Sequence, residues 1–163
     1  MATNAGGLRA VKYGVTRDYV RELTVVLPSG EDMTMGSLNI KSSSGYDLKD
    51  LFIGSEGTLG ITTQIKLRLV PLPAVKMSLL LSFEDVHIAT DATLAILESG
   101  ADPSEVELFE KDAAYFAEQH IGFPLQAKLG DAYLLVELDG NDEVELAARG
   151  ELIMDAVRAT ALE

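Results

Sequence analysis

The stretch Gly54-Ser55-Glu56-Gly57-Thr58-Leu59-Gly60-Ile61 spaces its three glycines three residues apart and directly follows the apolar Leu51-Phe52-Ile53. Residues without a β-carbon let another group approach the main chain closely, so their amides can reach phosphate oxygens. The spacing is neither that of a P-loop, because no Gly-Lys-Ser/Thr follows, nor that of the dinucleotide pattern Gly-x-Gly-x-x-Gly. From the residues alone two interpretations stay open: the glycines bind an anionic cofactor, or they only form tight turns beside strands.

A second glycine-containing stretch, Ala2-Thr3-Asn4-Ala5-Gly6-Gly7, lies at the amino end of the chain. The hydroxyl groups of Thr3, Ser55 and Thr58 can add hydrogen-bond donors to the main-chain amides. If both stretches bind the phosphates of one dinucleotide, they must face one groove. We therefore predict that the fold brings them together.

The composition of the chain changes at Pro71-Leu72-Pro73. Residues 1–73 contain eight Lys and Arg against seven Asp and Glu, a net charge of +1, whereas residues 74–163 contain five against nineteen, a net charge of −14. These charges sum to the −13 of the whole chain, and nine of the fourteen glycines also precede this point. Because prolines lack a main-chain donor and favour extended backbone, we predict a boundary between domains at residues 1–73 and 74–163.

The hydrophobic pattern of residues 1–73 predicts a small β-rich unit. The predicted elements are a strand (23–27), a turn (28–31), a second strand (32–35), a short helix (46–52) and a third strand (64–69). The first three form a predicted hairpin, and Gly54 is expected to end the helix. In the third strand Ile65, Leu67 and Leu69 alternate with polar residues, which predicts a half-buried edge or face of a sheet.

Residues 74–163 read as strands alternating with helices. The predicted elements are a strand (75–83), a helix (86–99), a strand (105–108), a helix (111–119), a strand (132–138) and a final helix. The turn Asp139-Gly140-Asn141 is expected to close the last strand. The inward-facing candidates are Val86, Ala89, Thr93, Ile96 and Leu97 in the first helix and Val144, Ala148, Ile153 and Val157 in the final one. Together the series predicts a layer of helices on a small sheet.

Composition excludes several classes of function. The chain contains no cysteine, and its two histidines, His87 and His120, are far apart and lack carboxylates at metal-ligand spacing, so we predict no metal site. A net charge of −13 argues against nucleic acid or an anionic membrane surface as a partner. With no apolar run long enough to cross a membrane and no signal region after Met1, we expect a cytoplasmic protein.

Motifs across the first 73 residues resemble one family in order and spacing: the FAD-linked 2-hydroxy-acid oxidases and dehydrogenases. Its members include the glycolate oxidase D-subunit, D-lactate dehydrogenase and D-2-hydroxyglutarate dehydrogenase. The matching segments are Ala2-Thr3-Asn4-Ala5-Gly6-Gly7, Lys12-Tyr13-Gly14, Arg17-Asp18, Val25-Val26-Leu27-Pro28-Ser29-Gly30, Gly45-Tyr46-Asp47-Leu48, Leu51-Phe52-Ile53-Gly54 and Ser55-Glu56-Gly57-Thr58-Leu59-Gly60-Ile61-Thr62.

This resemblance implies an α+β fold. Residues 1–73 would be the second subdomain of a vanillyl-alcohol-oxidase-type FAD-binding domain, and residues 74–163 the first part of an α/β cap domain over the substrate. It also implies FAD as the cofactor and a small 2-hydroxy acid as the substrate of the complete enzyme. In such an enzyme the flavin accepts a hydride from the carbinol carbon while a protein group takes the hydroxyl proton.

The resemblance further implies which residues bind the cofactor. Those expected along the pyrophosphate and the edge of the isoalloxazine ring are Thr3, Asn4, Gly6 and Gly7, with Tyr13 and Gly14 nearby. Those expected along the adenosine and pyrophosphate, largely through main-chain groups, are Glu56, Gly57, Gly60 and Ile61. Alternatives remain for some of them: Tyr13 and Ile61 as core residues, and Glu56 as the cap of a turn. Lys12, Arg17 and Arg21 are interpreted as surface cations.

The chain also departs from the family. The family's other FAD subdomain would precede Met1 and its histidine-rich region would follow Glu163, so we expect an internal fragment that is inactive alone, and we assign no catalytic residue. Two functional hypotheses follow. Either the chain is part of an FAD-dependent oxidoreductase, with a separate chain supplying the missing subdomain, or it is a non-catalytic scaffold or interaction domain without a cofactor, for example a homodimer.

Overall fold

The computed structural model describes residues 1–41, 43–125 and 129–162, and it divides the chain into two compact units. The first unit comprises Met1–Gly7 and Gly14–Pro71, and the second comprises Leu8–Tyr13 and Leu72–Glu163. The chain thus passes from the first unit to the second at Pro71-Leu72, within the proline-rich connector. The segment Leu8–Tyr13 packs with the second unit, which nothing in the sequence indicated.

Helices and strands alternate irregularly along the chain. In order they are α1 (Ala10–Tyr13), α2 (Thr16–Tyr19), β1 (Val20–Val26), β2 (Asp32–Gly36), α3 (Lys49–Phe52), β3 (Ile61–Leu67), β4 (Val75–Phe83), α4 (Val86–Glu98), β5 (Glu105–Glu110), α5 (Lys111–Ile121), β6 (Ala132–Gly140) and α6 (Glu143–Val157). The predicted α+β class is confirmed.

The first unit is built on an antiparallel sheet with strand order β2-β1-β3. The predicted hairpin is confirmed: Leu23 lies opposite Met35, and the turn is closed by a hydrogen bond from Gly30 N–H to Leu27 O at 2.8 Å. A small core of buried side chains covers one face of this sheet, formed by Val20, Leu23, Val25, Met35 and Ile53.

Two predictions for the first unit are only partly correct. The helix expected over residues 46–52 is limited to the single turn of α3, which Gly54 follows with φ +87°. β3 lies at an edge of its sheet, as one of the two predicted alternatives has it, but Ile65 and Leu67 are 43% and 54% exposed, so the half-burial expected for this strand is wrong within the unit. Alternation records which residues share a face, whereas burial of that face depends on what packs against it.

The second unit is an antiparallel sheet of order β4-β6-β5, and α4 and α6 both contact its central strand β6. The predicted strand over residues 75–83 coincides with β4. The core is continuous across sheet and helices and includes Phe83, Ile96, Leu134, Leu146 and Ile153, all at most 2% exposed. The predicted helix-on-sheet layer is therefore confirmed.

Residue-level expectations for this unit need correction. Asp139 and Gly140 belong to β6 and not to a turn, and Asp139 is 1% exposed. Val144 is 80% exposed, and Ala148 is exposed as well. The inward face of α6 consists of Leu146, Gly150, Ile153 and Val157. The cap explains the shift: Asp142 accepts hydrogen bonds from the amides of Val144 and Glu145, which starts the helix with Val144 turned outward.

The first long helix shows a similar shift. Of its predicted inward residues, Ala89 and Ile96 are buried, but Leu97 is 42% exposed. Ala92, which was not predicted, is buried in its place. Small residues such as alanine carry a weak hydrophobic signal, so the pattern underestimates their part in close packing.

Candidate cofactor groove

The two glycine-containing stretches meet in the first unit, although about fifty residues separate them in sequence. The amide of Gly54 donates to the main-chain oxygen of Met1 at 3.2 Å, and the amide of Glu56 donates to that of Ala2 at 2.9 Å. A β-carbon on Gly54 would lie 3.4 Å from the β-carbon of Asn4. Their main chains are therefore hydrogen-bonded side by side.

A groove of about 350 Å³ lies along this junction. Four of the residues predicted to bind the cofactor line it, namely Glu56, Gly57, Gly60 and Ile61. Ala2 and Phe52 line it as well, so residues from both stretches contribute. Of the apolar lining, Ile61 is 69% exposed, which leaves an uncovered hydrophobic side chain beside main-chain amides.

Gly57 and Gly60 are glycines for different reasons. Gly57 has φ +81°, a conformation that side-chain-bearing residues rarely adopt, and a β-carbon there would meet nothing within 4 Å. Gly60 is crowded instead, because its β-carbon would lie 2.8 Å from the main-chain oxygen of Val26. Gly60 therefore lets the stretch pack against β1, while Gly57 leaves open space in the groove.

Free donors remain on both stretches. Among the residues that the structure describes, no hydrogen bond uses the amides of Gly6, Gly7 and Gly57. The hydroxyl protons of Ser55 and Thr58 are not free in this way: Ser55 Oγ donates to Phe52 O at 2.8 Å and Thr58 Oγ1 to Ser55 O at 2.7 Å. A role of these two hydroxyls toward a ligand stays a prediction, and the main-chain amides carry the free donor capacity.

The remaining residues predicted at the amino end are arranged around Asn4. Asn4 has φ +49°, and its side-chain oxygen accepts a hydrogen bond from the amide of Arg17 at 2.9 Å. Thr3, Gly6 and Gly7 are exposed in the first unit. Their contact with a cofactor stays a prediction, since they lie outside the lining of the groove.

Gly14 and Tyr13 belong to different units. Gly14, in the first, has φ +77°, and a β-carbon there would lie 2.2 Å from the carboxylate of Asp18, so a tight turn requires glycine. Tyr13, in the second, donates its hydroxyl proton to Asp139 at 2.8 Å. The role predicted for Tyr13 beside a flavin is untested, but here its hydroxyl is part of an ionic cluster.

That cluster centres on the buried carboxylate of Asp139. Lys12 Nζ lies 2.8 Å from one of its oxygens and Arg9 lies 3.7 Å from the other, while Arg9 also bonds to Glu137. Burial alone would raise the pKa of Asp139, but the hydrogen bonds from Lys12 and Tyr13 outweigh it and hold the pKa below its ordinary value. Burial would lower the pKa of Lys12, but its pairing with Asp139 and Asp102 outweighs this effect and raises the pKa.

Sequence reasoning missed this cluster. It placed Asp139 in a turn and took Lys12 for a surface cation, yet the side chain of Lys12 is 19% exposed and that of Asp139 is fully buried. These charges lie more than 120 residues apart in sequence, so no local pattern could have paired them. Within the described part of the chain, no group of three or more His, Asp or Glu residues is arranged to hold a metal ion. No helix there is long and apolar enough to cross a membrane.

Comparison with solved structures defines the class of protein. The chain superimposes on alkyldihydroxyacetonephosphate synthase with a TM-score of 0.74 and 19% identity, covering 99% of this chain and 32% of that one. It superimposes on p-cresol methylhydroxylase with a TM-score of 0.65 and 16% identity, covering 92% of this chain and 35% of that one. Its fold is that of vanillyl-alcohol-oxidase-type FAD-binding proteins.

Sequence comparison identifies the family. Residues 72–163 match the model of the C-terminal domain of FAD-linked oxidases, and the chain belongs to this family. It is 44% identical to a D-lactate dehydrogenase of Anaerostipes hadrus over 151 residues, and 43% identical to the glycolate oxidase subunit GlcD of Bacillus subtilis over 139 residues. These alignments cover 90% and 84% of this chain but 32% and 29% of the relatives. The chain thus spans about a third of the length of the curated relatives it matches.

Proposed function

We propose that the chain is part of an FAD-dependent oxidoreductase that oxidises a small 2-hydroxy acid, and that the groove of the first unit contacts the cofactor. The observation that carries the proposal is the pairing of two distant glycine-containing stretches, whose main chains are joined by hydrogen bonds from Gly54 and Glu56 to Met1 and Ala2. Turn formation alone would not require the two stretches to meet along one groove.

The chemistry of the groove fits a dinucleotide. The unpaired amide of Gly57 offers a donor to a phosphate oxygen, and no β-carbon obstructs its approach. Glu56 carries a negative charge that would repel a phosphate, but its carboxylate can accept hydrogen bonds from ribose hydroxyls. The exposed side chain of Ile61 offers an apolar surface to a planar ring.

The substrate class is supported by the relatives, which are named D-lactate dehydrogenase and glycolate oxidase subunit GlcD. Lactate and glycolate are both 2-hydroxy acids. Bound FAD supplies the redox chemistry that removes a hydride from the carbinol carbon of such an acid. We assign no residue of this chain as the group that takes the hydroxyl proton, and we expect turnover to require the rest of the protein. A cytoplasmic location stays a prediction.

Titration with FAD, followed by amide chemical shifts, tests the proposal on the chain as it stands. We expect weak binding, with a dissociation constant on the order of 0.1 mM or higher, and shift changes concentrated at Glu56, Gly57 and Ile61. FMN, which lacks the adenosine, should produce smaller changes at the same concentration. Shifts scattered over the chain, or no change with millimolar FAD, would contradict the proposal.

A second candidate function, self-association as a non-catalytic domain, is favoured by the surface of β3. This strand lies at the edge of its sheet, and Ile61, Ile65 and Leu67 are all more than 40% exposed. An edge strand with uncovered apolar side chains is a common template for pairing with another chain. The occupant that we propose under this alternative is the β3 strand of a second copy.

A further inference from the structure

Arg17 lies in the short helix α2 and makes hydrogen bonds to the amino-terminal glycine stretch and to Ile53, the residue directly before the second glycine stretch. Its amide donates to the side-chain oxygen of Asn4 at 2.9 Å. Its guanidinium nitrogen Nη2 donates to the main-chain oxygen of Ile53 at 3.1 Å. One residue thus bonds to the amino-terminal stretch with its main chain and to the residue directly before the second glycine stretch with its side chain.

Partial burial sets Arg17 apart from a surface cation, because the residue is only partly exposed and its Nε atom is buried. Among the residues that the structure describes, this Nε atom has no hydrogen-bond partner, which costs free energy. The hydrogen bond that holds the guanidinium is the one from Nη2 to Ile53 O. Arg17 lines a separate cavity together with Arg21 and Lys49, and it does not line the groove itself. Its side chain can therefore affect the groove through Ile53, while its main-chain amide holds Asn4.

The hydrogen bonds made by the residues next to Arg17 and next to Ile53 show how the amino-terminal stretch is held. Thr16, which precedes Arg17, donates from both its amide and its hydroxyl to the main-chain oxygen of Ala5, at 3.1 and 2.7 Å. On the other side, Ile53 directly precedes Gly54, whose amide donates to Met1. The amino-terminal stretch is thus held between α2 and the glycine turn, and Arg17 bonds to both sides of that junction.

We infer that Arg17 is a positioning residue that holds the amino-terminal stretch against the glycine-rich turn and thereby sets the shape of the cofactor groove. This inference rests on the proposed function, because the shape of the groove matters for activity only if the groove binds the cofactor. It can be tested without a ligand, because the bonds from Gly54 and Glu56 report directly whether the two stretches stay together.

The test compares amide hydrogen exchange in the wild type and in R17A, residue by residue. We expect the amides of Gly54 and Glu56 to exchange at least tenfold faster in R17A, while those of β1, such as Leu23 and Val25, keep their rates. R17K retains a donor for Ile53 and should fall between the two. Should alanine at this position unfold the unit, R17K carries the test alone, with an acceleration confined to the same two amides.

The matched control is R21A. Arg21 lies in β1, lines the same cavity as Arg17 and carries the same charge, but the hydrogen bond that it forms with Ser37 uses its main-chain oxygen, which alanine keeps. We expect less than a twofold change at Gly54 and Glu56 in R21A. Equal rates in R17A and the wild type, or an equal acceleration at every amide, would overturn the inference.

FAD titration then separates this inference from the proposed function. If wild-type chain shows the groove shifts, R17A should need at least fivefold more FAD for the same change, and an unchanged titration would count against a positioning role. If the wild type shows no shifts with FAD, the proposed function fails, while the exchange rates of Gly54 and Glu56 still decide whether Arg17 holds the two stretches together.

Discussion

At the scale of single residues, Asp139 shows how far environment can override local sequence. It stands in Asp139-Gly140-Asn141, three residue types that favour turns, yet it occupies a central strand and is 1% exposed. The donors that make this tolerable, from Lys12 and Tyr13, come from a segment at the other end of the chain. A carboxylate can be buried here because cationic and hydroxyl donors reach both of its oxygens.

We predict that D139N destabilises the second unit by about 1.5–3 kcal/mol, because charge-assisted hydrogen bonds are lost and Lys12 keeps only the more exposed Asp102 as its anion. The pKa of Asp139 is lower in the folded protein than its ordinary value, so its contribution is present at neutral pH and is lost as the pH falls through the folded value. Urea unfolding of the wild type and of D139N measures the difference in their free energies of unfolding.

The pH dependence serves as the control for that measurement. The difference in the free energy of unfolding between wild type and D139N should be fully present above about pH 4, the ordinary pKa of an aspartate, and should shrink as the pH falls from there through the lower folded pKa. A difference that stays constant with pH would show that shape, and not charge, makes Asp139 important.

A second prediction concerns Gly60. G60A places a methyl group 2.8 Å from the main-chain oxygen of Val26, and such overpacking costs about 1–3 kcal/mol. G7A is the matched control, because a β-carbon on Gly7 would meet nothing within 4 Å and Gly7 does not have a positive φ. Thermal unfolding followed by circular dichroism should show a lowered melting temperature for G60A and little change for G7A. Equal melting temperatures would contradict close packing at Gly60.

At the scale of elements, the strands of the second unit were predictable because periodicity and burial agree. Residues 75–83 are mostly apolar, and β4 ends in Leu81, Ser82 and Phe83, all buried. The helices were predictable in extent but not in rotation. A helix turns by about 100° per residue, so a shift of one residue at the cap moves a different set of side chains inward, as Asp142 does for α6.

The cap of α4 gives a testable case. The side chain of Asp85 accepts hydrogen bonds from the amides of His87 and Ile88 at 2.8 and 2.9 Å. Removing them in D85A should cost about 1 kcal/mol of unfolding free energy. D91A, at an exposed position within the same helix, removes the same charge without removing a cap and should cost less. Equal losses in a urea titration would mean that charge, not capping, explains the effect.

At the scale of the whole molecule, uncovered apolar surface predicts how the chain behaves in solution. If β3 pairs with a second copy, light scattering should give twice the 17.5 kDa of one chain at high concentration. L67S removes an apolar side chain from β3 and should shift the protein towards monomer. L94S, on α4 of the second unit and similarly exposed, is the control. A monomer at all concentrations would exclude self-association.

The sequence by itself determined the class of fold, the extent of most strands and the family, because main-chain periodicity, turn-forming residues and spaced glycines are local properties. It also indicated that the two glycine stretches belong together. Only the tertiary structure decided which glycines leave open space and which permit close packing, that Arg17 holds both stretches, and that Asp139 is buried among cations. These outcomes depend on groups brought together across 13 to 127 residues of chain, and the free energy of burying a charge or a β-carbon is set by those neighbours.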